Sequence, residues 1–259
     1  MELLTILKTG GNVIDNPPVL KAVLRNFAEW QGAKILVHGG GKIADRLMEQ
    51  LGIVPKMIEG RRITDRETLN VVTMVYGGLI NKNIVAALQS YSCNAAGITG
   101  ADANVIPATK RPVKDVDYGF VGDVKPDCIA SDTLAALLRT GIVPVIAPIT
   151  HDGAGTLLNT NADTIASSVA VAMAKKFRVK LVFCFEKKGV LRDPNDENSV
   201  IEFLDEALYC KYKNGGIVTA GMIPKLDSAF AALRSGVYEV RICSAAELEK
   251  GTVIRMVNG

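Results

Sequence analysis

Several kinds of residue pattern are missing from this chain, and each absence narrows its role. No dense run of Lys or Arg occurs: the 30 basic residues are scattered against 27 acidic ones, and the formal net charge is only +3. That balance argues against a nucleic-acid partner. The five cysteines form an odd set with no C-x-x-C pair and no metal-like spacing, so they read as buried small apolar residues of a protein kept in a reducing, cytoplasmic setting. No apolar stretch approaches the roughly 20 residues of a bilayer helix; the most apolar, Val143 to Ile149 and Val179 to Phe185, are far shorter, and no membrane span is expected. The first residues enter an apolar run without the basic region and cleavage site of an export signal, so export is not expected either. No Pro-, Ser- or charge-rich linker divides the 259 residues, which implies one domain of two lobes.

What is present is an alternation. Leu3–Leu7, Lys34–Val37, Ala95–Ile98, Val143–Ala147, Lys180–Cys184 and Glu239–Ile242 are short, apolar, β-branched-rich runs that predict strands. Between them, Pro18–Gln31, Lys42–Leu51, Arg66–Ser90, Ser131–Thr140, Asp163–Lys175 and Ile223–Arg234 carry helical patterns. Continuously apolar strands separated by amphipathic helices imply a mostly parallel sheet covered on both faces, a three-layer α/β/α sandwich. Two stretches, Ile53–Ile63 and Val105–Val124, place turn residues between short β-like runs and predict hairpins over the carboxyl edge of the sheet.

In open α/β sheets ligands bind beyond the carboxyl ends of the strands, so residues just after each strand are the ones to inspect. After the first strand stand Lys8, Gly10 and Gly11; after the second, His38, Gly39, Gly40, Gly41 and Lys42. Glycine lets backbone N–H groups approach an anion closely, and the helix start that follows adds unpaired donors. Both loops suit phosphate, although either alone could be a tight turn. The second is not a Walker A loop, because Ile43 follows Gly41-Lys42 where Ser or Thr is required. Farther on, Asn159-Thr160-Asn161-Ala162-Asp163 starts a helix and reads equally as a cap or as a polar ligand site. Gly221-Met222-Ile223-Pro224-Lys225 starts another, with a lysine in its first turn. Positive charge there opposes the helix dipole, so Lys225 reads as answering an anion, with a solvated surface lysine as the alternative.

On Lys8-Thr9-Gly10-Gly11, Val37-His38-Gly39-Gly40-Gly41, Gly60-Arg61-Arg62-Ile63-Thr64, Asn159-Thr160-Asn161-Ala162-Asp163 and Gly221-Met222-Ile223-Pro224-Lys225, in that order and spacing, the chain resembles the amino acid kinase superfamily and, within it, the acetylglutamate kinases of arginine biosynthesis. The resemblance implies a single domain, residues 1–259, with an N-terminal lobe to about residue 165 for the amino acid and a C-terminal lobe for ATP on one continuous sheet. It implies that Lys8 and Lys225 neutralise the transferring phosphoryl group, that Asp163 orients both lysines, and that Gly10, Gly11 and Gly40 offer N–H groups to phosphate. Arg62 and Asn159, with Gly40 and Gly41, would hold the amino acid. ATP with Mg²⁺ would be the phosphoryl source, no protein metal centre is implied, and the assembly would be a homodimer. An N-terminal helix associated in the family with hexameric, arginine-inhibited enzymes is not seen, which implies insensitivity to arginine.

Two departures stand out. Phe185-Glu186-Lys187-Lys188-Gly189 occupies the place where the nucleotide lobe usually carries Thr or Ser then Asp, and Ala220-Gly221 replaces a Gly-Gly pair. Lys187 and Lys188 could meet phosphate or ribose, or be surface charges. The chemistry itself needs no general base, because a side-chain carboxylate is already ionised at neutral pH and phosphoryl transfer depends on positioning and charge neutralisation. His38 and His151 are therefore not required as bases. The implied reaction is phosphorylation of the γ-carboxylate of N-acetyl-L-glutamate; an N-succinyl substrate, another superfamily kinase, or a non-catalytic ligand sensor are the alternatives.

Overall fold

The computed structural model describes residues 1–58, 61–218 and 221–256. Eight strands form the central sheet: β1 (Leu3–Thr9), β2 (Ala33–His38), β5 (Ala95–Ile98), β8 (Val143–Ile146), β11 (Arg178–Phe185), β12 (Phe203–Leu204), β13 (Glu239–Ser244) and β14 (Thr252–Ile254). Their order is β12-β14-β13-β11-β1-β2-β8-β5, parallel throughout β13 to β5, with β14 antiparallel to β13. The strands read as unbroken apolar runs because both faces are covered. Leu4, Ile6, Ile35, Val37, Leu181 and Val240 point into one core, and Leu7, Leu36, Val145, Val182, Cys184 and Cys243 into the other.

One core is closed by α6 (Ser131–Arg139), α7 (Ala162–Met173), α8 (Glu206–Asn214) and α9 (Ile223–Arg234). On the other side lie α1 (Gly11–Ile14), α2 (Pro17–Glu29), α3 (Gly41–Gln50), α4 (Arg66–Val72) and α5 (Asn81–Ser90). Helix starts follow their chemistry: Asn16 caps α2 ahead of Pro17, and Asp65 caps α4 by accepting from the Thr68 N–H at 2.8 Å. Helices α4 and α5 are joined without a break by a π-helical segment, Thr73–Ile80. Together they make a 25-residue helix that is long and apolar enough by composition to cross a membrane; here Leu69, Val72, Val75, Ile84 and Leu88 are buried in the second core.

Three antiparallel hairpins stand over the carboxyl edge: β3 (Met57–Ile58) with β4 (Arg61–Arg62), β6 (Thr109–Lys110) with β7 (Gly122–Asp123), and β9 (Ile149–His151) with β10 (Leu157–Asn159). Single bridges Thr64–Gly119, Val121–Asn159 and Pro107–His151 tie them into one rim. The first two match the sequence expectation. The third does not appear in it, because β9 and β10 are three residues each, too short to leave a periodic pattern. Helices α1 and α8 and strands β12 and β14 also went unread, being short or, for α8, weakly amphipathic.

One correction concerns the cysteines. Cys93, Cys184 and Cys243 are buried as expected, but Cys128 and Cys210 are exposed, and all five are free. Cys128 sits in a surface turn, Pro126–Cys128, and Cys210 on the solvent side of α8, whose buried residue is its neighbour Tyr209.

Candidate active site

The register of the sheet assembles the site. Strand β1 pairs with β2 on one side and β11 on the other, so Thr9 lies opposite both His38 and Cys184, and the loops after all three strands leave the same edge in different directions. Lys8, the last but one residue of β1, is buried, and its Nζ reaches 2.7 Å from Oδ1 of Asp163, which stands in the first turn of α7. The contact is an ion pair that lies off the hydrogen-bond direction, since Asp163 Oδ1 has no hydrogen-bond partner among the described residues. Asn161, not Asp163, caps α7: its Oδ1 accepts from the N–H groups of Asp163 and Thr164 at 2.8 and 3.1 Å. The cap reading of that loop is therefore realised, by Asn161.

Lys225, inside the first turn of α9, lies with Nζ 3.7 Å from the centre of the Phe185 ring, and Lys8 Nζ lies 5.3 Å from the same ring. Burial above all, and then the charge of Lys8, hold the Lys225 ammonium below the ordinary lysine range against the attraction of Asp163. Phe185, which breaks the usual pattern in sequence, is thus a shared face beneath two ammonium groups. Lys187 and Lys188 go elsewhere. Lys187 Nζ is 3.6 Å from Glu197, and Lys188 Nζ is 3.5 Å from the Asn198 side-chain oxygen, both on the surface.

The glycine loops divide their labour. Gly10 N–H donates to the Cys184 carbonyl at 3.3 Å and Gly39 N–H to the Thr9 carbonyl at 3.1 Å, so these two stitch the strand ends together. Gly11 and Gly40 N–H groups have no acceptor among the described residues. The expectation that Gly10 offers its N–H to phosphate is corrected by this geometry, because the donor is already engaged. Gly40 is required as glycine for a separate reason: its φ is +149°, and a Cβ there would stand 2.1 Å from Ile80 Cδ1.

Two cavities meet at Asp163. One, of about 230 Å³, is lined by Lys8, Gly11, Gly40, Arg62, Tyr76 and Asn159 among others. The other, of about 430 Å³, lies between α7 and α9 and includes Lys225, Phe183, Phe185, Ser168 and Ala231. Asp163, Asn161, Thr164 and Arg61 line both. Arg62 is buried on β4, ion-paired with Asp45 of α3, and donates from Nη2 to the Gly41 carbonyl at 3.3 Å. Asn159 Nδ2 donates to Thr64 Oγ1 at 3.0 Å, which in turn donates to the Arg62 carbonyl at 3.2 Å. The expected pair Arg62 and Asn159 is therefore locked into one wall.

Among the described residues, Asp163 is the only carboxylate lining either cavity, against Lys8, Arg61, Arg62, Arg111 and Lys225. Such an excess of cations suits two anionic ligands meeting at their common wall. His38 lines neither cavity. It is fully buried; Nδ1 lies 2.8 Å from the Gly39 carbonyl and Nε2 lies 3.2 Å from Asn81 Nδ2, a neutral tautomer that burial holds at a pKa of about 4. Asp45, Tyr76, Arg61 and Arg111 were not singled out in the sequence; only the doubled arginine at 61 and 62 offered a signal. Gly60, in one of the motifs, and Ala220, in the Ala220-Gly221 departure, lie outside the described residues.

Comparison with known proteins finds relatives along nearly the whole chain. The amino acid kinase family model matches residues 4–244. The acetylglutamate kinase of Cytophaga hutchinsonii is 57% identical over 249 residues, 96% of this chain and 94% of that protein. The acetylglutamate kinase of Phocaeicola vulgatus is 57% identical over 98% of this chain and 99% of its own. Among solved structures, smu.665 from Streptococcus mutans superposes with a TM-score of 0.77 at 28% identity, covering 97% of this chain and 98% of that one. With that sheet order, two cavities joined at a Lys-Asp-Lys cluster and relatives of this identity along nearly its whole length, the chain belongs to the amino acid kinase family, among the acetylglutamate kinases.

Proposed function

We propose that the protein transfers the γ-phosphoryl group of ATP to the side-chain carboxylate of N-acetyl-L-glutamate, with the amino acid in the smaller cavity and the nucleotide in the larger. The single observation that carries this reading is the Lys8–Asp163 pair, with Lys225 beside it, on the wall common to both cavities. The γ-carboxylate oxygen attacks the phosphorus, the bond to the bridging oxygen of ADP breaks, and the two ammonium groups meet the charge spread over the phosphoryl oxygens. Gly11 and Gly40 supply backbone donors there, while Arg62 and Asn159 hold the α-carboxylate and acyl-amide end. The lobes then divide near residue 165, within α7, so that Asp163 at its start serves both substrates.

Mg²⁺ supplies further charge neutralisation when bound. Among the described residues no cluster of three Asp, Glu, His or Cys side chains is present, and Asp163 is the single lining carboxylate. This donor set fits an ion carried mainly by the phosphates of ATP rather than by a protein cage. The free cysteines fit a cytoplasmic setting. A homodimer is supported by Met74 and Leu79, exposed apolar side chains on the long helix, and sedimentation would test it.

The testing experiment is ATP-dependent acyl phosphate formation, trapped as the hydroxamate, with N-acetyl-L-glutamate. Turnover is the expected result. Silence on every N-acylated glutamate, with tight ATP binding retained, would instead make the chain a ligand sensor; activity on free glutamate, aspartate or carbamate would keep the fold and change the substrate.

A further inference from the structure

Phe185 is placed by the sheet. It is the last residue of β11, opposite Ser244 of β13, and its ring stacks on that of Phe183 with centroids 5.9 Å apart and 5° between the planes. Residues two apart on a strand share a face, and Lys8 stands opposite Phe183 in the register, so all three side chains leave the sheet on the side covered by α7 and α9. Lys225 reaches the same ring from α9. Its ammonium, 3.7 Å from the ring centre, makes no ion pair or side-chain hydrogen bond among the described residues. Two repulsions act on it there, from the dipole of the helix it starts and from the charge of Lys8. A long lysine so placed turns to solvent unless something holds it. An aromatic face attracts an ammonium within about 6 Å, and unlike a carboxylate it brings no negative charge to repel an incoming phosphate.

We infer that Phe185 is a positioning residue for phosphoryl transfer: its ring holds the Lys225 ammonium, and more weakly that of Lys8, at the junction of the two cavities before the substrates arrive. The inference rests on the kinase reading above and adds to it a residue that acts through the two lysines and not on the phosphoryl group. It also gives the departure at this position a physical meaning, because Thr or Ser in place of Phe185 carries no π face.

The test replaces Phe185 in the full chain with mono-, di- and trifluorinated phenylalanine, which weaken the attraction for a cation stepwise and leave the ring shape nearly unchanged, and separately with Leu and Tyr. kcat and KM are measured with ATP and whichever N-acyl-L-glutamate the wild type turns over. kcat is expected to fall with each added fluorine, to about tenfold below wild type at three, the size of one partly desolvated cation–π contact, while KM for the amino acid stays fixed. Phe185→Leu should lose at least as much, and Phe185→Tyr, which keeps the π face, should retain most of the rate. A kcat indifferent to fluorination overturns the inference and makes Phe185 a packing residue, even where Phe185→Leu is inactive. A KM for ATP that rises with fluorination at constant kcat overturns it as well, because the ring then acts on the nucleotide and not on the lysines. A wild-type chain without turnover on any N-acylated glutamate removes the kinase reading itself, a separate outcome, and the inference with it.

Discussion

Lys8 and Asp163 come from positions 155 residues apart in the chain, yet Nζ and Oδ1 stand 2.7 Å from each other at the junction of two cavities. The pair balances charge within a crowded cationic site. Without Asp163, Lys8 and Lys225 would face each other around Phe185 with no lining carboxylate between them.

Lys8→Ala should lower kcat by about 10²–10³-fold, because its charge acts where negative charge develops, with a smaller change in KM for either substrate. Asp163→Asn should also lower kcat, and should lower the alkaline pKa of the kcat/KM profile, because the attraction that opposes burial of Lys225 is gone. Steady-state kinetics across pH check both. An unchanged kcat in Lys8→Ala would end its proposed role.

Arg62→Ala should raise KM for the acylated amino acid by about tenfold or more, as expected for losing a charged hydrogen-bond partner, and change kcat less. Asp45→Asn should reproduce part of this effect without touching the pocket lining, since Asp45 holds the guanidinium from α3. Isothermal titration with N-acetyl-L-glutamate in the absence of ATP separates binding from turnover.

Gly40→Ala should destabilise the fold by about 1–3 kcal/mol as Ile80 is displaced, and should cut activity because the loop moves. Gly52→Ala provides the comparison. It also carries a positive φ, +75°, but a Cβ there meets nothing within 4 Å, so only backbone strain of about 1 kcal/mol is expected. Denaturant melts of the two variants give the difference directly.

His38 should make stability fall with acid. Its folded pKa of about 4 lies below the ordinary value of 6.5, so between these limits the unfolded chain holds more protons and stability is lost as pH drops from 6.5 toward 4. The whole span is worth about 3 kcal/mol. His38→Gln should flatten that slope in urea melts taken from pH 7 to pH 4, whatever it costs at neutral pH; an unchanged slope would show that other groups carry the acid dependence.

Much of this protein could be read in its residues. The six strands of four residues or more, and the six helices that were predicted, stand within a few residues of where apolar periodicity placed them, because burial on two faces leaves a strong local pattern. Lys8, Asp163 and Lys225 drew notice because each sits beside a glycine turn or helix start whose chemistry is local, whereas Arg62 and Asn159 took their expected roles from the family resemblance alone.

Tertiary structure alone decided the rest, and the reason is common to each case. Whether a glycine N–H is free or spent depends on a carbonyl elsewhere: Cys184 takes that of Gly10, and no acceptor meets that of Gly40. Phe185 looked like a departure and became a platform for two lysines only when α9 folded against β11. Likewise Arg61 and Arg111, neighbours of unremarkable charges in the chain, line one cavity because separate hairpins fold over the same edge. Local chemistry wrote the elements and the glycine loops into the sequence, whereas pairing across the sheet edge, where partners lie a hundred or more residues apart, is fixed only by packing.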